Sequence, residues 1–144
     1  MTSATGSAAR QALLSQYTGA EHLVLGAHVN GETYPGTARS YLADGRGVAW
    51  QVPQQDGLAF AIDAEIADQP VSAMLGRRAR SMDPAVVWPL WTGCEAAAKA
   101  LELPVLSWLN WPGLKLPAEI AEKVSLQWEQ LDDILVCYGV ASTT

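Results

Sequence analysis

The chain is poor in phenylalanine, cysteine and charge. It holds one Phe and two Cys in 144 residues. Two thiols, Cys94 and Cys137, are too few for a disulfide framework, and no CxxC pair is present. Charged residues make up 17% of the chain, below the roughly 25% of an average soluble protein. No apolar run approaches the ~20 residues that span a bilayer. Met1 to Arg10 is small and polar and lacks the build of a secretory signal. These absences lead to the expectation of a cytoplasmic protein with reduced thiols.

Chemical signatures are equally scarce. Gly45-Arg-Gly47 and Gly76-Arg-Arg78 match neither phosphate-binding glycine pattern, and no GxSxG elbow occurs. His22, His28, Cys94 and Cys137 lack the spacing of a zinc site. On one strand His22 and His28 would stand about 20 Å apart, at ~3.3 Å per residue, too far to share an ion. No metal, cofactor or catalytic residue is therefore assigned. Cys94 reads as a residue near the start of a helix, where the dipole lowers a thiol pKa. Cys137 lies in an apolar run and reads as a buried small hydrophobe.

What is present begins with a 49% apolar fraction, enough for a core in one domain of 144 residues. Residues 1–7 read as a disordered lead-in. The net charge is −6 and the pI about 4.7. Such a surface repels nucleic acid and anionic lipid and attracts a basic protein. Arg77, Arg78 and Arg80, with only Asp83 beside them, form the one basic segment.

Periodicity predicts an α+β fold: one antiparallel sheet of about four to six strands with helices mainly on one face. Ser7 reads as the cap of a helix running to Gln16 or Tyr17, with the stripe Ala9, Leu13, Tyr17. Strands are expected at 22–29, 39–43, 48–52 and 58–66, with turns at Asn30-Gly31 and Asp44-Gly45. In 58–66 the apolar side chains alternate, which puts Asp63 and Glu65 on a solvated face. A helix is expected at 71–80. Pro89 is expected to interrupt the segment begun at Asp83-Pro84, and Thr92-Gly-Cys-Glu95 matches a capping box for a helix at 96–103. Val105 to Leu109 reads as extended, and Asn110 to Gly113 as a turn. From Pro117 the stripe Ile120, Val124, Trp128, Leu131, Leu135 predicts an amphipathic helix, with Trp128 buried and a Trp128→Ala cost of about 3–5 kcal/mol. Ile134 to Val140 closes the chain as a strand. Asp132 and Asp133 would then oppose that helix's dipole.

Tryptophan is the unusual feature: six against a single Phe. Trp88-Pro-Leu-Trp91 and Trp108-Leu-Asn-Trp111 repeat one step, and in each a Trp abuts a proline, which favours irregular backbone. With so little Phe, most are expected to fill the core, and one or two to reach a surface. These features favour a small acidic module that occupies a basic protein partner, in the manner of an inhibitor, immunity protein or chaperone. Its contacts would be Trp88, Trp91, Trp108 and Trp111 with Glu129, Asp132 and Asp133. The alternative is a small enzyme or ligand-binding domain with a Trp-lined pocket and His22, His28 or Cys94 for chemistry. A third reading is nucleic-acid binding through Arg77, Arg78 and Arg80.

Overall fold

The computed structural model describes residues 6–30, 38–104 and 106–143. Expectations for residues 1–5, for Gly31 of the Asn30-Gly31 turn and for Val105 lie outside them. Helix α1 (Ser7–Tyr17) forms where its stripe predicts, although Gly6 rather than Ser7 is its cap residue. Three short strands follow: β1 (Leu23–Gly26), β2 (Ala38–Tyr41) and β3 (Gly47–Trp50). β3 runs between the other two and is antiparallel to both, with Trp50 opposite Leu23 on one side and Ala38 on the other. The expected strand at 22–29 is shorter than its apolar run. Gly26 takes φ 150, a conformation rarely open to L side chains, and the chain winds into a 3-10 turn at Ala27–Asn30.

The second sheet has the order β4-β6-β5, from β4 (Leu58–Ile66), β5 (Val124–Leu131) and β6 (Ile134–Ser142), all antiparallel. One face carries Leu58, Ile62 and Ala64 of β4 and Val136, Tyr138 and Val140 of β6. It buries them with Leu13 and Leu14 of α1 and Val48 and Trp50 of β3. The other face is covered by a long helix, described below, and this corrects the solvated face expected for β4: Asp63 is buried.

Among the described residues six strands form two sheets of three, rather than one sheet of four to six. β2 lies alongside β4, and the Ser40 side chain bridges them. The Ala64 N–H donates to Ser40 Oγ (3.0 Å), and the Ser40 hydroxyl donates to Asp63 Oδ1 (3.2 Å). Helices also flank the β4-β6-β5 sheet on both faces, not mainly one.

Helix α2 (Ala73–Ala79) is capped by Ser72, whose hydroxyl accepts from the Leu75 N–H (3.2 Å). Helix α3 (Pro84–Ala100) then runs straight through the point where a break was expected. Asp83 caps it, accepting from the Ala85 N–H (2.9 Å), and Pro84 sits where its missing N–H costs nothing. Pro89 removes one helical hydrogen bond, a cost of about 3 kcal/mol. Burial of Val87, Trp88 and the 92–94 segment offsets it. Thr92 is therefore an interior residue and not a helix cap. Its hydroxyl donates back to the Trp88 carbonyl (2.8 Å). Ala97 and Ala100 pack on Ala61 and Ala141, and these small residues let α3 lie close to the sheet.

Residues 107–110 and 112–114 form 3-10 turns, where an extended piece was expected at 105–109, and α4 spans only Ala118–Ala121. The amphipathic helix predicted from Pro117 is corrected: its core is β5. A spacing of four satisfies a strand face as well as a helix face, because four is two strand periods. Val124, Leu126 and Trp128 alternate with Ser125, Gln127 and Glu129, and that period of two prevails. Asp132 and Asp133 lie in the turn between β5 and β6, with Asp132 at φ 53, so no helix dipole acts on them.

Candidate functional site

The structure gathers the four tryptophans of the two repeated motifs into one cluster. Trp88 and Trp91 meet edge to face at 6.1 Å, and Trp91 and Trp108 at 4.6 Å. Trp88 donates its indole N–H to the Gln69 carbonyl (3.0 Å). Trp88 and Trp108 are buried, and Trp91 and Trp111 pack half-covered against the same core. Trp108 is 1% exposed, so its ring offers no free face to a partner.

The three acidic residues expected beside them lie elsewhere. Glu129 faces the α1 side of the sheet and accepts from the Tyr138 hydroxyl (2.8 Å). Asp133 is held by Arg46 through two hydrogen bonds of 3.2 and 2.8 Å, and Arg46 also bonds Asp44 (2.9 Å). Arg46 holds the Asp133 carboxyl below its usual range. Asp132 is exposed at the turn.

The tryptophan left at the surface is Trp128, 42% exposed. Its ring lies against α3 over Gly93. A Cβ at Gly93 would come within 2.8 Å of the ring, so glycine is what admits the indole there. The indole N–H donates to the Pro89 carbonyl (3.0 Å) and to Thr92 Oγ1 (3.2 Å). Its polar edge is satisfied, and what remains open is apolar.

Trp128 forms one side of a cleft of about 680 Å³. Helix α3 lines it with Val86, Pro89, Leu90 and Gly93. The end of α2 contributes Ala79 and Arg80, and the far wall is the 112–116 segment, including Leu114, Lys115 and Leu116. No carboxylate, thiol or imidazole lines it. Arg80 and Lys115 are exposed at its edge, and Arg77 and Arg78 continue from Arg80 along the last turn of α2. Among the described residues none of these four cations makes an ion pair. Arg78 makes only a long bond to the Leu109 carbonyl (3.5 Å).

The groups considered for chemistry do not converge on this cleft. Cys94 sits in the middle of α3 and not at its start, so no helix dipole activates it. Its thiol donates to the Leu114 carbonyl (3.1 Å), and burial pushes its pKa up to about 12. Burial also holds the Cys137 thiol well above the ordinary range. His22 stacks edge to face on Tyr17 at 5.4 Å, with Glu21 3.7 Å from its Nε2. The side chain of His28 lies outside the described residues. Among the described residues no three His, Cys, Asp or Glu side chains gather as a metal site.

One titratable cluster is unusual. Asp63 is buried between β4 and α3, and Lys99 of α3 reaches it at 3.1 Å while also donating to the Ile62 carbonyl (3.1 Å). Burial pushes the Asp63 carboxyl up to about 7, with Lys99 opposing the rise and Glu95 and Glu65 adding to it. Glu65 and Glu95 are themselves raised, mainly by burial. Asp63 Oδ2 has no hydrogen-bond partner among the described residues. Asp63 is not among the residues lining the Trp128 cleft, and its pairing with Lys99 ties α3 to the sheet.

Compared with known proteins, the chain matches no protein-family model, no curated protein and no solved structure. The site therefore rests on its own geometry. Sequence reasoning passed over Trp128 as a surface residue because it placed the residue on a buried helical stripe. The alternation through 124–129 is the signal that would have exposed it.

Proposed function

We propose that this chain is a non-catalytic binding module that holds an apolar segment of a partner protein in the cleft between α3, the end of α2 and Trp128. One observation supports it above the rest: a rigid aromatic ring with its donor already satisfied stands half-exposed beside a cleft large enough to bury several side chains. Clefts of roughly 300–1,000 Å³ lined by apolar groups are the usual form of a binding site, and a half-exposed indole is a common interface anchor. The lining offers no nucleophile paired with a base, and the Cys94 thiol is protonated and enclosed. The partner's role remains that of an occupied target, as for an inhibitor, immunity protein or chaperone. The contact surface differs from the one expected, because Trp128 with Val86 and Leu90 replaces the buried Trp88 and Trp108.

A photo-crosslinking residue placed at Val86, which is exposed, tests this in a lysate of the source cell. It should give one discrete adduct, lost on Trp128→Ala. The same probe at Tyr41, exposed on β2, should give none. Adducts from position 41 with none from position 86 would remove the cleft from the function.

A further inference from the structure

We infer that the occupant of the cleft is an acidic amphipathic segment of the partner, with apolar side chains at helical spacing flanked by Asp or Glu. This rests on the reading of the cleft as a protein-binding site and goes beyond it in assigning the partner's chemistry. The chain as a whole carries −6, which favours a basic partner in general. The cleft is the exception.

Its two cations stand on different walls, Arg80 at the end of α2 and Lys115 on the 112–116 segment. Arg77 and Arg78 extend the positive surface beyond the rim. Among the described residues these cations make no ion pair, and Asp83, the acid nearest Arg80 in sequence, turns an oxygen to the Ala85 N–H to cap α3. A basic segment would meet repulsion at both walls. An acidic one would be drawn to this site and repelled by most of the remaining surface, which fixes where it docks.

The shape selects a segment over a single small anion. Val86, Leu90 and Trp128 present apolar contact along α3, matching the face of a helix laid in a groove. The positive charge is spread over two elements, so it complements carboxylates on both flanks of a helix rather than one head group. Because Trp128 already donates to Pro89 and Thr92, it asks for apolar contact and no acceptor.

The test is selection from a display library of random 16-residue peptides on the full chain. The enriched peptides are then measured against two sets of variants. Val86→Asn with Trp128→Ala alters the apolar lining, and Arg77→Glu with Lys115→Glu reverses exposed charge at positions where the fold does not depend on it. Far-UV circular dichroism confirms that each variant is folded. The expected peptides carry Asp or Glu around apolar residues spaced three and four apart. Their affinity should fall at least tenfold on both sets, and at least about fivefold between 50 and 500 mM NaCl. Peptides that need the apolar lining but are neutral or basic, or ignore the charge reversal, would overturn the acidic assignment and leave the cleft as the site. Peptides indifferent to the lining variants, or no enrichment at all, would overturn both. Competition by dodecanoate as effective as that of the peptides would overturn the assignment to a protein segment.

Discussion

Trp50 and Trp128 lie on opposite sides of the β4-β6-β5 sheet, and each has its indole N–H satisfied by a backbone carbonyl: Tyr17 for Trp50 at 3.0 Å, Pro89 for Trp128 at 3.0 Å. Trp50 is enclosed, with Phe60 and Tyr138 meeting it edge to face at 5.8 and 5.1 Å. Trp128 keeps 42% of its surface in contact with solvent. Hydrogen bonding does not separate them. What differs is the covering element: α1 and the β1-β3-β2 sheet close over one face, while α3 covers the other face only in part. A tryptophan whose polar edge is paired and whose face is left open is a surface poised for an apolar partner.

That contrast sets the scale of the mutational effects. Trp50→Ala should destabilise the chain by about 3–5 kcal/mol in chemical denaturation, as expected for removing a fully packed indole. A loss under about 1 kcal/mol would show that the enclosed face is not the main core.

The charge buried between the sheet and α3 should appear as a pH effect. With the Asp63 carboxyl raised to about 7, the folded chain binds a proton that the unfolded chain releases near 4. Stability is therefore highest below the unfolded value and is lost as pH rises toward and through 7, by on the order of 2–4 kcal/mol. Asp63→Asn should flatten most of this slope, leaving a smaller one of the same sign from Glu65 and Glu95. Unfolding midpoints measured from pH 4.5 to 8 provide the check, and an unchanged slope in the variant would assign the effect elsewhere.

Trp128→Ala, by contrast, should lower stability by only about 1–2 kcal/mol while reducing binding of the selected peptides at least tenfold. A stability loss equal to that of Trp50→Ala would erase the distinction between the two faces. Gly93→Ala is the finest probe. It gains helix propensity of about 1 kcal/mol but forces the ring away, an overpacking cost of about 1–3 kcal/mol. A small net loss, of about 1 kcal/mol, with a shifted Trp128 emission is expected.

Much of the covered face was legible in the sequence. The alternation of Leu58, Phe60, Ile62, Ala64 and Ile66 gave β4 its bounds, Ile134 to Val140 became the central strand, and α1 ends at Tyr17, where its stripe does. The partly covered side was less legible, for reasons that are physical. Pro89 is a local break signal, but Val87, Trp88 and Thr92 bury enough surface to carry α3 through it. Ile120, Val124 and Trp128 are spaced by four, which a helix and a strand satisfy alike, and neighbouring strand β6 decided between them. Asp63 looked solvated because its own strand alternates correctly. What covers it is α3, whose Lys99 stands 36 residues further along the chain, and no local pattern carries that information. The basic segment at Arg77, Arg78 and Arg80 was visible, whereas Lys115, which faces the same cleft, became its partner only through folding.

The most direct test follows the six indole N–H resonances in an NMR titration with the selected acidic peptides. Saturation should move the Trp128 signal strongly and leave Trp50 and Trp108 in place. Movement of Trp50 or Trp108 with Trp128 unmoved would contradict the placement of the binding surface on the partly covered face.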